Sequence, residues 1–168
     1  MNNIVFKNIV RFLGLVLLQV VVCSHINFLG YLNPYVYVLF VLLYPVSNNR
    51  LLFIFLSFLL GLSVDMFLDS GGTHAAASVA IAYIRPLCLK FSFGSVYEYH
   101  AVKFSNTDFS KRLVYFLILI FIHHFILFSL VIFDQNELLL IFKQTFYSSI
   151  FTLLLCLLLS SLFSSKKT

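Results

Sequence analysis

The stretch GLSVDMFLDSGGTHAAAS, from Gly61 to Ser78, contains two acids, a glycine pair and a histidine in a chain that is otherwise strongly apolar. Hydrophobic residues make up 61% of the 168 residues, charged residues make up 10%, and the mean hydropathy is +1.02. A water-soluble core of this length cannot enclose so many apolar side chains. The chain is therefore predicted to be an integral membrane protein, with the glycine pair as a turn between two membrane helices.

The long apolar runs are rich in Phe and Leu, which favours transmembrane helices over a barrel of alternating strands. We predict a single membrane domain over residues 1–168, with a polar loop at about 91–112. The second span is short, and it crosses the ~30 Å hydrocarbon core only if residues before Pro34 also lie in the membrane. Pro86 predicts a kink or an end in the fourth helix near Arg85. The six predicted spans cover about residues 4–24, 28–46, 51–68, 74–91, 113–133 and 138–163.

The distribution of charge predicts the orientation. The net charge of +5 does not indicate nucleic-acid binding, because the basic residues are scattered in short groups at the ends of apolar runs. With six spans, nearly all of them lie on one side, and the positive-inside rule places that side and both termini in the cytoplasm. The basic residues on that side are Lys7, Arg11, Arg50, Arg85, Lys90, Lys103, Lys111, Arg112, Lys166 and Lys167.

Asp65 is predicted to lie ~21 Å along the third helix, about two-thirds of the way across the membrane. Such a depth requires the carboxylate to face other helices and to be hydrogen-bonded or protonated. Gly61 lies one turn away on the same face and leaves room for a neighbouring backbone. Together with His74 and His25, Asp65 could bind a metal or relay a proton, but the spacing is not a ligand signature. We therefore favour a structural cluster that fixes the third and fourth helices.

The fourth helix follows Gly71 and Gly72, with Thr73 as a predicted cap. Its small residues Ala76 and Ala80 repeat at four-residue spacing, a pattern that lets helices approach closely in lipid. We expect these residues to form a helix contact.

The remaining polar residues give no sign of catalysis. His123 and His124 are adjacent on the fifth helix, so their side chains point about 100° apart and do not easily share one ion. No nucleophile elbow, zinc-protease motif, phosphate loop or nucleotide fingerprint is present. The three cysteines have no paired spacing, so neither a disulfide framework nor a zinc cluster is indicated. We predict no enzymatic activity, no cofactor and no bound metal; Gln19 and Gln144 are interpreted as interhelical hydrogen-bonding residues.

Several stretches resemble the MreD family of rod shape-determining proteins, in the form found in Bacteroidetes-type bacteria. The length and the number of spans also agree across nearly the whole chain. The residues that carry the resemblance are HINFLGYLNPYVYVLFVLLYP from His25, GLSVDMFLDSGGTHAAASVAIAYIRP from Gly61, YEYHAVKFSNTDF from Tyr97 and IHHF from Ile122.

The resemblance implies a non-enzymatic subunit of the bacterial inner membrane that supports lateral peptidoglycan synthesis in the cell-elongation complex. It implies MreC as the direct partner, with MreB, RodA and a class B penicillin-binding protein in the same complex. The family pattern of a glycine followed four residues later by an aspartate matches Gly61 and Asp65, with Gly72 and His74 in the turn that follows. We expect the chain to hold a single-span partner in a lipid-facing groove along the Ala-rich fourth helix.

The family is also similar in architecture to the substrate-binding subunits of energy-coupling-factor vitamin transporters. The alternative function is therefore a membrane subunit that binds a small molecule near His25, Asp65 and His74. Such a pocket needs many polar contacts, and this chain offers few.

Overall fold

A computed structural model of the protein describes residues 2–26, 32–46, 49–94 and 107–163. Within these ranges the regular elements are helical, and five helices are long and apolar enough to cross a membrane. The prediction of an all-helical, multi-pass membrane protein is therefore confirmed. In chain order the helices are α1 (Asn2–Leu17, continued by a π-helical turn, Leu18–Val22, and a 3-10 turn, Cys23–His25), α2 (Val38–Leu43), α3 (Arg50–Leu68), α4 (Thr73–Phe93), α5 (Phe109–Ile132) and α6 (Leu138–Phe163).

The four helices α3 to α6 pack in chain order, each against the next. The Arg50 guanidinium, at the start of α3, donates a hydrogen bond to the carbonyl of Tyr83 in the middle of α4, at 3.2 Å, whereas Asp65, near the end of α3, contacts His74 at the start of α4. The two helices are therefore antiparallel. We call the end of the bundle that contains Arg50 the Arg50 end, and the end that contains the α3–α4 turn the Asp65 end.

The short helix α2 lies in the centre of the bundle. Every residue from Val36 to Leu42 is 1% exposed or less. A helix that is apolar on all sides is stable only when it is surrounded by other elements, and α2 contacts α1, α4 and α5. It therefore forms the core around which the long helices are arranged.

The structure departs from the prediction at the second span, which was expected to be a helix over about 28–46. In the described part of that range the only helix is α2, which at ~1.5 Å per residue is about 9 Å long and too short to cross a membrane. The residues on its N-terminal side, from Leu32 to Val36, are not helical. Non-helical backbone is tolerated at membrane depth where protein encloses it and supplies its hydrogen bonds. The Gln19 side chain donates to the Pro34 carbonyl at 3.1 Å, and the Tyr35 amide donates to the Thr152 hydroxyl at 3.0 Å.

The non-helical residues 32–36 and α2 together form a broken segment that runs antiparallel to α1. Gln19 contacts Pro34, whereas Arg11, eight residues earlier in α1, donates to the Leu43 carbonyl at 3.3 Å. The segment therefore covers at least the ~12 Å that separate Gln19 from Arg11 along α1. It returns the chain from the Asp65 end to the Arg50 end without a long helix.

The boundaries of the polar loop also differ from the prediction. The fourth helix does not stop at Arg85, and it extends slightly past the predicted end at about residue 91. It continues through Pro86 to Phe93 and ends at Gly94, whose φ is 69°. The fifth helix begins at Phe109, four residues before the predicted Leu113. Most of the predicted loop, residues 95–106, lies outside the described residues, as does most of the stretch that begins at Tyr97.

Candidate functional site

The carboxylate of Asp65 lies at the end of α3 and accepts four hydrogen bonds, although the residue is only 5% exposed. Its Oδ1 accepts from the Ser70 hydroxyl at 2.5 Å, from the His74 amide at 3.0 Å and from His74 Nδ1 at 2.9 Å. Its Oδ2 accepts from the Ala75 amide at 2.8 Å. A single buried side chain thus connects α3, the turn and α4.

Asp65 caps the N-terminus of α4, where the first amides have no partner within the helix. The N-cap residue is Gly72, which has no side chain to accept these hydrogen bonds. Asp65, from the preceding helix, supplies the acceptor oxygens instead, and its charge is favourable at the positive end of the helix dipole. Thr73, the predicted cap, does not take this role, because its hydroxyl donates to the Ser70 carbonyl at 3.1 Å.

The turn between the two helices requires left-handed backbone at three positions. Asp69 ends α3 with φ 51°, and Gly71 and Gly72 follow with φ 65° and 90°. Glycine adopts this conformation at no steric cost, which explains the pair. The turn places Ser70 where its hydroxyl reaches Asp65.

Gly61 is the point of closest approach between α3 and α4. A Cβ atom at this position would lie 2.5 Å from both the Cα atom of Ala75 and the carbonyl oxygen of His74. The backbones of the two helices are therefore in direct contact. The structure brings together Gly61, Asp65, Gly72 and His74 in one hairpin, which we call the Asp65 hairpin.

Three other residues singled out in the sequence lie outside this contact. Ala76 is exposed and Ala80 is half-buried, on the side of α4 that faces away from the core. The alanine against Gly61 is Ala75. His25 is exposed at the end of α1 and is not among the hydrogen-bond partners of Asp65.

Ser70, His74 and Asp65 are within hydrogen-bonding distance of one another, but their arrangement differs from that of a nucleophile triad. In a triad the serine and the carboxylate bind opposite nitrogens of the imidazole. Here both contact His74 Nδ1, and the Ser70 hydroxyl donates a hydrogen bond to Asp65 Oδ1. The Nδ1 atom faces acceptors and carries the ring proton, so Nε2 is the acceptor of a neutral ring. That atom is buried and has no hydrogen-bond partner in the described part of the chain.

A second polar group lies next to the hairpin in the core. The rings of Tyr35 and Tyr37 are 5.7 and 5.8 Å from the ring of His74. The Tyr37 hydroxyl is 2.8 Å from His123 Nε2. His124 Nδ1 donates to the Ile120 carbonyl at 2.7 Å, and its Nε2 is 3.1 Å from the Thr152 hydroxyl.

The adjacent histidines therefore have different partners. Across the described ranges, no three His, Cys, Asp or Glu side chains are arranged to hold a metal ion. The hydrogen bonds of this group connect α5, α6 and the non-helical segment before α2.

A third polar group, at the Arg50 end, was not predicted from the sequence, in which Arg85 is interpreted as a topology signal. Arg85 is 3% exposed, and its Nε donates to the Tyr115 hydroxyl at 2.7 Å. Its Nη2 donates to the carbonyls of Leu42 and Tyr44, and the guanidinium lies 4.9 Å from the centre of the Phe53 ring. Arg85 therefore caps the C-terminus of α2. The available signal was its position within the predicted fourth span rather than after it.

Comparison with protein-family models, with curated proteins and with solved structures finds no match to this chain.

An apolar groove opens on the outside of the bundle between α1 and α3, over the end of α2. Its volume is about 540 Å³. None of its lining residues belongs to the Ala-rich fourth helix, along which the sequence predicts a partner groove. Its lining residues are Val5, Asn8, Ile9, Phe12, Leu13, Phe40, Tyr44, Leu52, Leu56 and Leu59.

Proposed function

We propose that the chain is a non-enzymatic scaffold subunit of the bacterial cell-elongation complex, similar to MreD, which supports lateral peptidoglycan synthesis. In this proposal the groove between α1 and α3 receives the single transmembrane helix of MreC. MreB, RodA and a class B penicillin-binding protein belong to the same complex. The observation that carries the proposal is a lipid-facing groove lined almost entirely by apolar side chains.

The way α1 is held supports this role for the groove. Its polar contacts with the core are made by Arg11, which reaches the Leu43 carbonyl, and by Gln19, which reaches the Pro34 carbonyl. Leu13, between these two residues in the sequence, and Ile9, just before Arg11, are 55% and 51% exposed. Helices associate in lipid through close van der Waals packing. The exposed apolar side chains of the groove provide a surface against which another helix can pack.

The contacts of Asp65 favour the scaffold over the vitamin-transporter subunit. A ligand held by Asp65 would need free oxygens on that side chain, and a ligand held by all three residues would need His25 beside Asp65 and His74. Four donors from the protein already bind the Asp65 oxygens, and His25 is exposed elsewhere. Asp65 is better explained as the residue that fixes the geometry of the hairpin.

For the orientation, we propose the inner membrane, with both termini in the cytoplasm. Basic residues concentrate at the Arg50 end, as the positive-inside rule requires of a cytoplasmic face. Cysteine substitutions at two exposed positions, Lys111 near the start of α5 and Asn136 in the turn after its end, test this with a membrane-impermeant thiol reagent in intact cells. We expect labelling of Asn136→Cys and none of Lys111→Cys; the reverse pattern would contradict the orientation.

Copurification with MreC tests the docking proposal. Ile9 and Val10 are adjacent on α1 and similarly exposed, at 51% and 53%, but only Ile9 lines the groove. Ile9→Trp places a bulky ring in the groove, whereas Val10→Trp places the same ring on the neighbouring face, about 100° away.

We expect Ile9→Trp to reduce the MreC recovered with the protein by about tenfold, which corresponds to ~1.4 kcal/mol. Val10→Trp should leave recovery within about twofold of wild type, a difference of ~0.4 kcal/mol. Equal recovery for both variants, with both well folded, would refute docking in this groove.

A further inference from the structure

A second, smaller cavity lies at the Arg50 end, between α3 and α4. Its volume is about 170 Å³. Two of its lining residues are arginines, and none is acidic. The lining residues are Pro45, Val46, Arg50, Phe53, Ala82, Arg85, Pro86 and Leu89. The cavity is therefore positively charged and has no counter-charge in its own wall.

The charge of Arg85 is only partly balanced by the protein. Its Nε and Nη2 groups donate to a hydroxyl and to two carbonyls, all of which are neutral. Its Nη1 group hydrogen-bonds to no described residue, and within the described ranges the ion pairs join other residues, His74 with Asp65 and Lys111 with Asp108. Burying a cation without an opposite charge is costly, particularly at membrane depth.

Arg50 completes the site at the rim of the cavity. Its side chain is exposed but ordered by two contacts, a hydrogen bond to the Tyr83 carbonyl and stacking over the Tyr83 ring at 5.0 Å. Arg50, which is exposed, and Arg85, which is buried, thus both line one small space.

We propose that this cavity binds a phosphate group, supplied either by the head group of an anionic phospholipid or by free inorganic phosphate. The planar guanidinium presents parallel N–H donors that match the oxygens of phosphate. The cavity is several times the roughly 30 Å³ that one water occupies in the liquid, which gives room for a tetrahedral anion but not for an acyl chain. The cavity also lies at the basic end of the bundle, where the surrounding positive charge favours an anion.

Native mass spectrometry of the purified full chain tests the proposal, with dioleoylphosphatidylglycerol added in one arm and inorganic phosphate in the other. The test variant is Arg50→Gln, because Arg50 is exposed and its loss leaves the contacts of Arg85 intact. The matched control is Arg112→Gln, since Arg112 also lies in the first turn of a long helix and stacks on a ring, that of Phe109 at 5.7 Å, but does not line the cavity.

A second variant keeps both charges and fills the space. Val46 is half-buried in the cavity wall, and Val46→Phe is expected to exclude the phosphate sterically. Helical content by circular dichroism and elution as a single species establish that each variant is folded before binding is compared.

We expect Arg50→Gln to weaken phosphatidylglycerol binding about tenfold, because it removes a charge-assisted hydrogen bond to the phosphate. Val46→Phe should weaken binding by a similar factor because it fills the space, and Arg112→Gln should leave binding unchanged. Retention of lipid that excess inorganic phosphate does not displace identifies the lipid as the source. Binding of inorganic phosphate that is lost in both cavity variants, without retained lipid, identifies free phosphate. Equal binding of both probes by wild type, the two cavity variants and the control would overturn the proposal.

Discussion

The Asp65 hairpin and the contacts of Arg85 with Leu42, Tyr44 and Tyr115, which we call the Arg85 cluster, have similar roles at opposite ends of the bundle. In each, a buried charged side chain from one helix satisfies the backbone at the end of another. Asp65 binds amides at the N-terminus of α4, and Arg85 binds carbonyls at the C-terminus of α2. Both charges have the sign that the helix dipole favours. The difference lies in chain distance: Asp65 reaches residues 9 and 10 positions away, and Arg85 reaches residues 41 and 43 positions away.

The contacts of Asp65 therefore form within one hairpin, whereas the contacts of Arg85 depend on the whole fold. The α3–α4 hairpin needs only a short turn before Asp65 meets its partners. The Arg85 cluster requires α2, α4 and α5 to be in place together. We therefore expect Arg85 to contribute more to global stability, and Asp65 to contribute mainly to the geometry of the hairpin.

The largest effect is expected for Arg85→Ala. The change leaves the Leu42 and Tyr44 carbonyls and the Tyr115 hydroxyl without their cationic donor, and it should lower the free energy of unfolding by about 3 kcal/mol or more. Titration with sodium dodecyl sulfate in mixed micelles measures that free energy. Arg112→Ala, which removes an arginine from the first turn of α5, should change it by less than about 1 kcal/mol. A loss for Arg85→Ala no larger than for this control would contradict the assignment of Arg85 as the cap of α2.

Asp65→Ala should have the next largest effect. It leaves the His74 and Ala75 amides and His74 Nδ1 without their acceptor, at an expected cost of about 2 kcal/mol. This loss in the free energy of unfolding should be smaller than that of Arg85→Ala when both are measured in the same micelles.

Asparagine substitutions give a closer control for the hairpin. Asp69 lies one turn from Asp65 and is exposed, and its left-handed backbone is one that asparagine adopts readily. Asp65→Asn should therefore destabilise the protein, whereas Asp69→Asn should be nearly neutral. Similar losses for both would show that charge near the turn, rather than the cap, is what matters.

A smaller effect is expected from Gly61→Ala. The added methyl group would lie 2.5 Å from the backbone of α4, so the hairpin must open, at a cost of about 1–2 kcal/mol. Gly14 in α1 has no atom within 4 Å of the same position, so Gly14→Ala should be neutral or slightly stabilising. Thermal unfolding in detergent compares the two alanine variants. Equal melting temperatures would contradict the close contact between α3 and α4.

The same distinction explains how much could be predicted from the sequence. The long helices follow from apolar runs. The Asp65 hairpin follows from Gly61, Asp65 and the glycine pair, because the amides that Asp65 binds lie only 9 and 10 positions away in the sequence. The broken second span did not follow, since its backbone is satisfied by the side chains of Gln19 and Thr152, which are distant in sequence. Local pattern could not show that these side chains would be present to replace helical hydrogen bonds.

The burial of Arg85 escaped prediction for a related reason. A basic residue near the end of an apolar span is usually a signal of orientation, and only its partners in α2 and α5 distinguish a buried cap from a surface charge. The groove between α1 and α3 depends in the same way on packing, because its walls come from three helices.

Photocrosslinking in the native membrane tests the scaffold proposal most directly. Leu51 and Leu52 are neighbours on α3 and both are exposed, at 77% and 48%, but only Leu52 lines the groove. A photoreactive amino acid placed at Leu52 should form a covalent adduct with MreC, and the same residue placed at Leu51 should not. Adducts of equal yield from the two positions, or none from Leu52, would contradict docking of the partner helix between α1 and α3.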